Sequence, residues 1–328
     1  MKSALIGAGR IARQHLTCLQ GLPGVTVAAV CDRSPAAAES AAERHGVRAW
    51  FTDHHKMLAE IRPDIVHITT PASSHYQLAL DCLQAGAHVI VEKPITETFD
   101  QLEMLLRQGA DRQKAVVEDL NCLFNRAPRE IAARIASGDF GAVTHVEVAI
   151  CIDAEPGGIL EFLPHMASLV HQFVGPHRTV HTLWRRTDGS SGPADEFRAQ
   201  IDAAQGTASL VYSVNAQPDA FWLRVYGRKM LATANLWETR LTFNRVRPGV
   251  AAFGSALDRL EEGRTIRQAA RRTLLGKFLG SPGTYEGLFE LLPRTYRALA
   301  ESAELPVTPQ QIREVSCLVQ ALKSEHAE

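Results

Sequence analysis

The 328-residue chain has no surplus of charge of either sign: 35 Lys and Arg stand against 36 Asp and Glu, a formal net charge of −1 at pH 7. General nucleic-acid and membrane-surface binders hold phosphate with a basic excess that is absent here, so neither partner is expected. No run reaches the roughly 18 uncharged apolar residues of a bilayer-spanning helix. Glycine (23) and proline (16) are too sparse for a fibrous or disordered chain. The six cysteines, Cys18, Cys31, Cys82, Cys122, Cys151 and Cys317, are scattered without a CxxC pair, which points to reduced thiols in or near the core. Metal-ligand spacing is missing as well: His54 and His55 are adjacent rather than four apart and no HExxH occurs, so no metal is expected. The N-terminus enters a strand-like run at once, without the apolar segment and cleavage site of a signal peptide, and a cytoplasmic address is expected.

What remains is ordinary globular composition, 45% apolar and 22% charged, at a length suggesting two domains of roughly 150 residues. Residues 1–120 alternate strand and helix signals. Short apolar runs at 3–6, 25–30, 65–68, 88–91 and 115–117 suit strands buried on both faces. Between them, 11–19, a helix opened by Ser34-Pro35, one opened by Asp53, one opened by Ser74 with Gln77 as a capping box, and 99–107 read as helices. Repeated strand–helix–strand units predict a doubly wound parallel sheet, a Rossmann-type α/β domain.

From 121 to 328 the pattern changes. A helix at 126–136 and a strand at 143–150 precede strands at 197–203, 207–214, 221–226 and 230–235 with no helices between them. A mixed or antiparallel sheet in an α+β second domain is expected. Helices are expected at 252–260, 266–279, 285–300 and 309–322.

Gly7-Ala8-Gly9-Arg10-Ile11-Ala12 follows the first strand and opens the first helix. In such a G-x-G-x-x-A turn, the first glycine permits the bend and the second admits a pyrophosphate. Ala12 allows close helix–strand packing, while the helix N-terminus offers N–H donors. Asp32 ends the second strand 20 positions past Ala12, where a carboxylate accepts from a ribose diol and repels a 2′-phosphate. Arg33 beside it suits that phosphate, so NAD is expected with NADP open. Glu92-Lys93-Pro94 closes the strand at 88–91, at the sheet edge where ligands bind, and a lysine there can exchange protons.

The glycine turn, the run Asp64–Pro71 continuing to His75, the run Ala85–Pro94, and Asn125-Arg126 followed by a helix and Gly138-Asp139-Phe140-Gly141 together resemble the Gfo/Idh/MocA oxidoreductases. The resemblance covers the first 150 residues well and the rest loosely. It implies that Lys93 handles the proton at a substrate hydroxyl, that Glu92 lies near the nicotinamide ribose, and that Thr70, Pro71 and His75 belong to the cofactor site with Gly7, Gly9, Arg10, Ile11, Ala12, Asp32 and Arg33. The family's second domain carries D-x-G-x-H; here Glu161-Phe162-Leu163-Pro164-His165 follows Gly157-Gly158. His165 aligns with the family histidine and Glu161 keeps a carboxylate in place of the aspartate. Leu163 replaces the glycine, Ser168 a further aspartate, and Pro164 is expected in the first turn of the next helix. Met230 stands where the family has a glycine.

Between Arg240 and Lys277 nine basic residues face three acidic ones; a solvated helix face and an anion-attracting patch are both open. The leading expectation is an NAD(P)-dependent dehydrogenase acting on a hydroxyl or ketone of a sugar or cyclic polyol, in a homo-oligomer. The alternatives are a redox-neutral NAD-dependent lyase, epimerase or glycosidase, and a catalytically silent NAD-binding sensor.

Overall fold

The computed structural model describes residues 1–154, 158–187, 189, 193–238, 240–246, 251–279 and 283–324. The chain divides into two compact units, Met1–Asn121 with Leu288–Ser316, and Cys122–Gly287 with Cys317–Glu328.

The first unit opens with β1 (Lys2–Ile6), α1 (Arg10–Gln20), β2 (Thr26–Cys31), α2 (Pro35–Arg44), β3 (Ala49–Phe51) and α3 (His54–Ile61). It continues with β4 (Ile65–Ile68), α4 (His75–Gln84), β5 (His88–Val91), α5 (Phe99–Asp111) and β6 (Val116–Glu118). All six strands are parallel, in the order β3-β2-β1-β4-β5-β6. This is the expected doubly wound sheet, and its winding reverses between β1 and β4, which opens a crevice at their carboxyl ends. The apolar runs become strands because both faces are covered; all four residues of β4 are buried. Ser34 accepts from Ala37 N–H ahead of Pro35 at the start of α2, and Thr98 with Gln101 forms a full capping box on α5.

The second unit holds α6 (Arg126–Ala136), β7 (Val143–Cys151), α7 (Ile159–Val174), β8 (His177–Arg185), β9 (Glu196–Ala203), β10 (Thr207–Ser213), β11 (Ala220–Gly227), β12 (Met230–Asn235), β13 (Arg240–Arg245) and α8 (Ala251–Leu279). Its sheet runs β13-β12-β11-β7-β10-β9-β8, mixed as expected: β7 and β10 are parallel and the other pairs antiparallel. Helix α7 packs on β7 and β10 with Leu163, Met166, Val170 and Val174 fully buried. Helices α9 (Leu288–Glu301) and α10 (Pro309–Ser324) follow, and α9 packs against α1.

Several expectations are corrected. Strands β3, β8 and β13 have no counterpart in the sequence reading, and α9 begins at Leu288, after a short 3-10 turn at Gly283–Tyr285. The two helices expected at 252–260 and 266–279 are one continuous helix, since no proline or cap breaks the segment between them. Leu257, Leu260, Ile266 and Leu274 on it are exposed, so their helical spacing does not mark a buried stripe. Arg247 and Gly157 lie outside the described residues, as do the side chains of Arg272 and Lys277. The Ser74–Gln77 capping box does not form: Ser74 Oγ donates instead to Thr70 Oγ1 and the Pro71 carbonyl, both at 2.8 Å, and Gln77 turns to Asp81. Pro164 lies inside α7 rather than in its first turn; the carbonyl that loses its helical donor there belongs to Leu160, an exposed residue. All six cysteines are free, with Cys18, Cys31, Cys82 and Cys122 buried. Among the described residues no helix is long and apolar enough to cross a membrane.

One buried polar chain ties the first unit together. His15 on α1 lies 2.9 Å, Nδ1 to Nδ1, from His67 on β4, and its Nε2 lies 3.1 Å from Glu92 and 3.5 Å from Asp119. His67 Nε2 reaches the Tyr296 hydroxyl of α9 at 2.8 Å, and Tyr296 donates to Ser3 at 2.9 Å. Burial alone would lower the His15 pKa, but hydrogen bonds and charge from Asp119 and Glu92 outweigh it and raise it from 6.5 to about 9. Burial and the His15 charge push His67 well below 6.5. An imidazolium at His15 donating to both neighbours, and a neutral His67 donating to Tyr296, satisfy every link. The stabilisation from His15 is fully present below 6.5 and is lost as pH rises through about 9. His15→Gln is therefore expected to be less stable than the parent at pH 6.5 and to lose less on going to pH 9; thermal melts at the two pH values check this, and parallel pH slopes would remove His15 from the account.

Candidate functional site

The bend after β1 requires glycine for the fold itself. Gly7 has φ +97°, and a Cβ there would meet Thr70 Cγ2 at 2.7 Å and the Thr69 carbonyl at 2.8 Å. Its N–H donates to the Cys31 carbonyl at 2.8 Å, and its own carbonyl accepts from Thr69 Oγ1 at 2.7 Å. Gly9 differs: a Cβ there would meet nothing within 4 Å. It is the N-cap of α1, an 11-residue helix with no side-chain cap. No atom within 4 Å demands that glycine, and the room it leaves at the bare helix N-terminus suits the approach of a ligand phosphate.

Asp32 welds this bend to the next. Its Oδ2 accepts from Ala8 N–H at 2.7 Å and its Oδ1 from Ser34 N–H at 2.9 Å. A carboxylate has about four acceptor positions, so two remain for a diol. A cleft of about 380 Å³ opens between the bend and the end of β4. Of the residues expected to hold a cofactor, Gly7, Gly9, Asp32, Arg33, Thr70 and Pro71 line it; Arg10, Ile11, Ala12, His75, Glu92 and Lys93 do not. Thr52, His54, Thr69, Ser73, Ser74 and Leu78 line it as well; none of them is among the cofactor residues expected from the sequence, although Thr69, Ser73 and Ser74 fall within the run from Asp64 to His75. Cys31 lines it too, its thiol pushed up to about 11 by burial and the Asp32 charge, so it stays protonated. The open Gly9, the uncapped helix and the spare lone pairs on Asp32 fit a dinucleotide.

At the end of β5, Lys93 is half-buried and each residue beside it is gripped. The Glu92 side chain turns inward to His15 and only 7% of the residue is exposed. The Pro94 carbonyl lies 2.8 Å from His75 Nδ1, whose Nε2 lies 2.7 Å from the Thr70 carbonyl, so His75 ties the lysine turn to the cleft without lining it. Ile95 N–H donates to Glu118 Oε1 at 3.1 Å. Burial, then the charges of Asp119 and Glu92, raise the Glu118 pKa from 4.5 to about 7 against the pull of Ile95 N–H. Burial and the Asp119 charge raise Glu92 as well, opposed by His15 and Lys93. Neither Glu118 nor Asp119 had been singled out in the sequence; an acidic pair ending an apolar strand was the signal.

In the second unit, Glu161 lies in the first turn of α7, exposed, with half-buried His165 one turn on, so the two share a helix face. The Phe162 ring stands 6.5 Å from His165 and 5.9 Å from Tyr212. Ser168 donates back to the His165 carbonyl at 2.9 Å. Tyr212, unforeseen, is fully buried at an inward position of β10 and its hydroxyl has no hydrogen-bond partner among the described residues. Burial and the Glu161 charge push that phenol up.

The raised Glu118 pKa makes its neutral form the one the fold prefers: the contribution is fully present below 4.5 and is lost as pH rises through about 7. Glu118→Gln keeps an acceptor for Ile95 N–H and removes the titration. It is expected to raise the melting temperature relative to the parent above pH 7 more than below pH 4.5; an equal shift at both would sink the assignment.

The model of an oxidoreductase family with an NAD-binding Rossmann fold, Gfo/Idh/MocA, matches residues 1–119. Inositol 2-dehydrogenase of Rhizobium meliloti (strain 1021) is 30% identical over 228 residues, 64% of this chain and 68% of that protein. D-glucoside 3-dehydrogenase of Escherichia coli (strain K12) is 28% identical over 144 residues, 44% of this chain, and the match spans only 41% of that protein's length. The WlbA dehydrogenase from Bordetella pertussis, solved in complex with NADH and UDP-GlcNAcA, superposes with a TM-score of 0.80 over 98% of this chain and 94% of that one. At 18% identity, that likeness is one of fold. With the family's fingerprint at the switch point, its Glu-Lys-Pro turn at the next strand end and a relative matched over two thirds of its length, the chain belongs to the Gfo/Idh/MocA oxidoreductase family.

Proposed function

We propose that the protein is an NAD-dependent dehydrogenase that oxidises a secondary hydroxyl of a sugar or cyclic polyol. The observation that carries this reading is the pairing of an open glycine cradle at the β1–β4 switch point with a lysine turn clamped at the end of β5. NAD, when bound, takes up the hydride released from the hydroxyl-bearing carbon. Gly9 and the N-terminal N–H groups of α1 would hold its pyrophosphate, and Asp32 its adenosine ribose. Lys93 takes the hydroxyl proton, a general-base contribution of about 10²–10⁴-fold. Its neighbours Glu92, Pro94 and Ile95 are each held by a buried group, so the turn that carries Lys93 is fixed before substrate arrives. From α7, His165 as proton partner and Glu161 as substrate carboxylate are assigned on their register with the family motif. The inositol and glucoside dehydrogenases among the relatives support the carbohydrate class.

Two variants test the reading against a panel of inositols, sugars, uronates and nucleotide sugars, with reduced nicotinamide as the readout. Lys93→Met is expected to lose at least about 10²-fold in kcat while calorimetry shows unchanged NAD affinity; retained turnover removes the lysine from its role. Gly9→Ala, where the protein itself leaves room for a Cβ, is expected to melt within a few degrees of the parent and to weaken NAD binding. Undiminished binding would place the dinucleotide elsewhere.

A further inference from the structure

The first turn of α3 and the middle of α4 bring together three donors that sequence spacing kept apart. His54 Nε2 lies 2.8 Å from Asp81 Oδ2, and His55 Nε2 lies 3.8 Å from the same oxygen. One ligand atom from each of the three residues falls within 4.8 Å of the others. An ion bonded to nitrogen and oxygen at about 2.0–2.2 Å in tetrahedral geometry sets its donors about 3.3–3.6 Å apart. The observed separations bracket that value: a rotation of His55, whose side chain is 68% exposed, shortens the longer one, and the His54–Asp81 hydrogen bond opens by about 0.5 Å when an ion replaces its proton.

The surroundings are those of a supported ligand set. Asp81 Oδ1 accepts from Gln77 Nε2 at 2.8 Å, which fixes the carboxylate with its other oxygen toward the histidines. Asp53 caps α3, accepting from His55 N–H at 2.8 Å, and so fixes the backbone that carries both imidazoles. Its charge acts on both rings and offsets the positive end of the helix, which would otherwise repel a cation. The exposed side leaves room for water to complete the coordination. Two imidazoles and one carboxylate select borderline transition ions over magnesium or calcium.

We propose that His54, His55 and Asp81 form a binding site for a divalent transition metal of the zinc, cobalt and nickel class, bridging α3 to α4. Because His54 also lines the cleft beside Asp32, Arg33 and Thr52, an ion there fixes one wall of the cleft and couples to dinucleotide affinity. The site itself is independent of the proposed activity; only the coupling rests on the cleft being a dinucleotide site.

Titration of the whole protein, first free of added nucleotide, with Co²⁺ and Zn²⁺ tests the site. One equivalent is expected to bind, with the absorption of cobalt in nitrogen and oxygen ligands and no thiolate charge-transfer band. His55→Ala, at an exposed position where folding is undisturbed, and Asp81→Ala are each expected to weaken binding by about tenfold or more. No binding to the parent, unchanged affinity in His55→Ala, or a thiolate band tracing the ion to cysteine would overturn the site. Repeating NAD calorimetry with and without Zn²⁺ is expected to show a shift in affinity in the parent that His55→Ala abolishes. An equal shift in both proteins, or none, would overturn the coupling, whereas a parent that binds metal but no NAD at all would sink the reading of the cleft and leave the metal site standing.

Discussion

Three carboxylates, Glu92, Glu118 and Asp119, are buried at the carboxyl ends of β5 and β6, and the fold must answer their charge. Each uncompensated buried charge costs several kcal/mol, of the order of a domain's whole margin of stability. His15 answers two of them with one imidazolium, and burial keeps Glu118 near the point of protonation. The consequence reaches the cleft. His15 sits on α1, six residues past Gly9, so the helix whose N-terminus faces the cleft is pinned from beneath to the turn that carries Lys93. His75 repeats the device from the other side, bridging the carbonyls of Thr70 and Pro94. The glycine bend and the lysine cannot drift independently, because the groups that hold one also hold the other.

That coupling explains which parts of the first unit were legible. Strands β4 and β5 were readable to the residue because burial on both faces keeps them mostly apolar, with His67 the buried exception in β4. Ser34, Asp53 and Gly7 announced themselves because local chemistry alone determines a cap or a bend. Strand β3 was not legible: three half-buried or exposed residues at the sheet edge carry no periodicity. His15 offered a weak signal, a polar residue within the stripe Ala12, Leu16 and Leu19, which says that a partner exists without saying where. The partners come from β4, β5 and the segment after β6, and Tyr296 closes the chain from a helix 229 positions beyond His67. Asp81 likewise stands 27 positions from His54. Side-chain encounters between elements depend on the fold being known first, so motif spacing that counts along the chain misses them.

The helical tail shows the limit of periodicity. Apolar residues at helical spacing run from Leu257 to Leu274, and Leu257, Leu260, Ile266 and Leu274 are exposed on α8. Periodicity reports that a helix has two faces; it does not report that both lie within one chain. In α7 the same period coincides with complete burial, because β7 and β10 supply the opposing layer.

The two units also differ in how much freedom they leave to substitution. At the glycine bend a Cβ on Gly7 collides with backbone, and polar contacts of Thr69, Asp32 and His75 fix the shape of the turn. The face of α7 that carries Glu161 and His165 is more exposed. Glu161 is exposed, so its longer side chain displaces nothing. Pro164 forfeits a single helical bond at an exposed residue. Ser168, standing where the family has an aspartate, donates to the His165 carbonyl and lies 3.3 Å from the Cys122 thiol. Departures from the family pattern at these positions are cheap for the fold, so stability does not dictate them. The bend after β1 is the contrary case, where the backbone itself dictates Gly7.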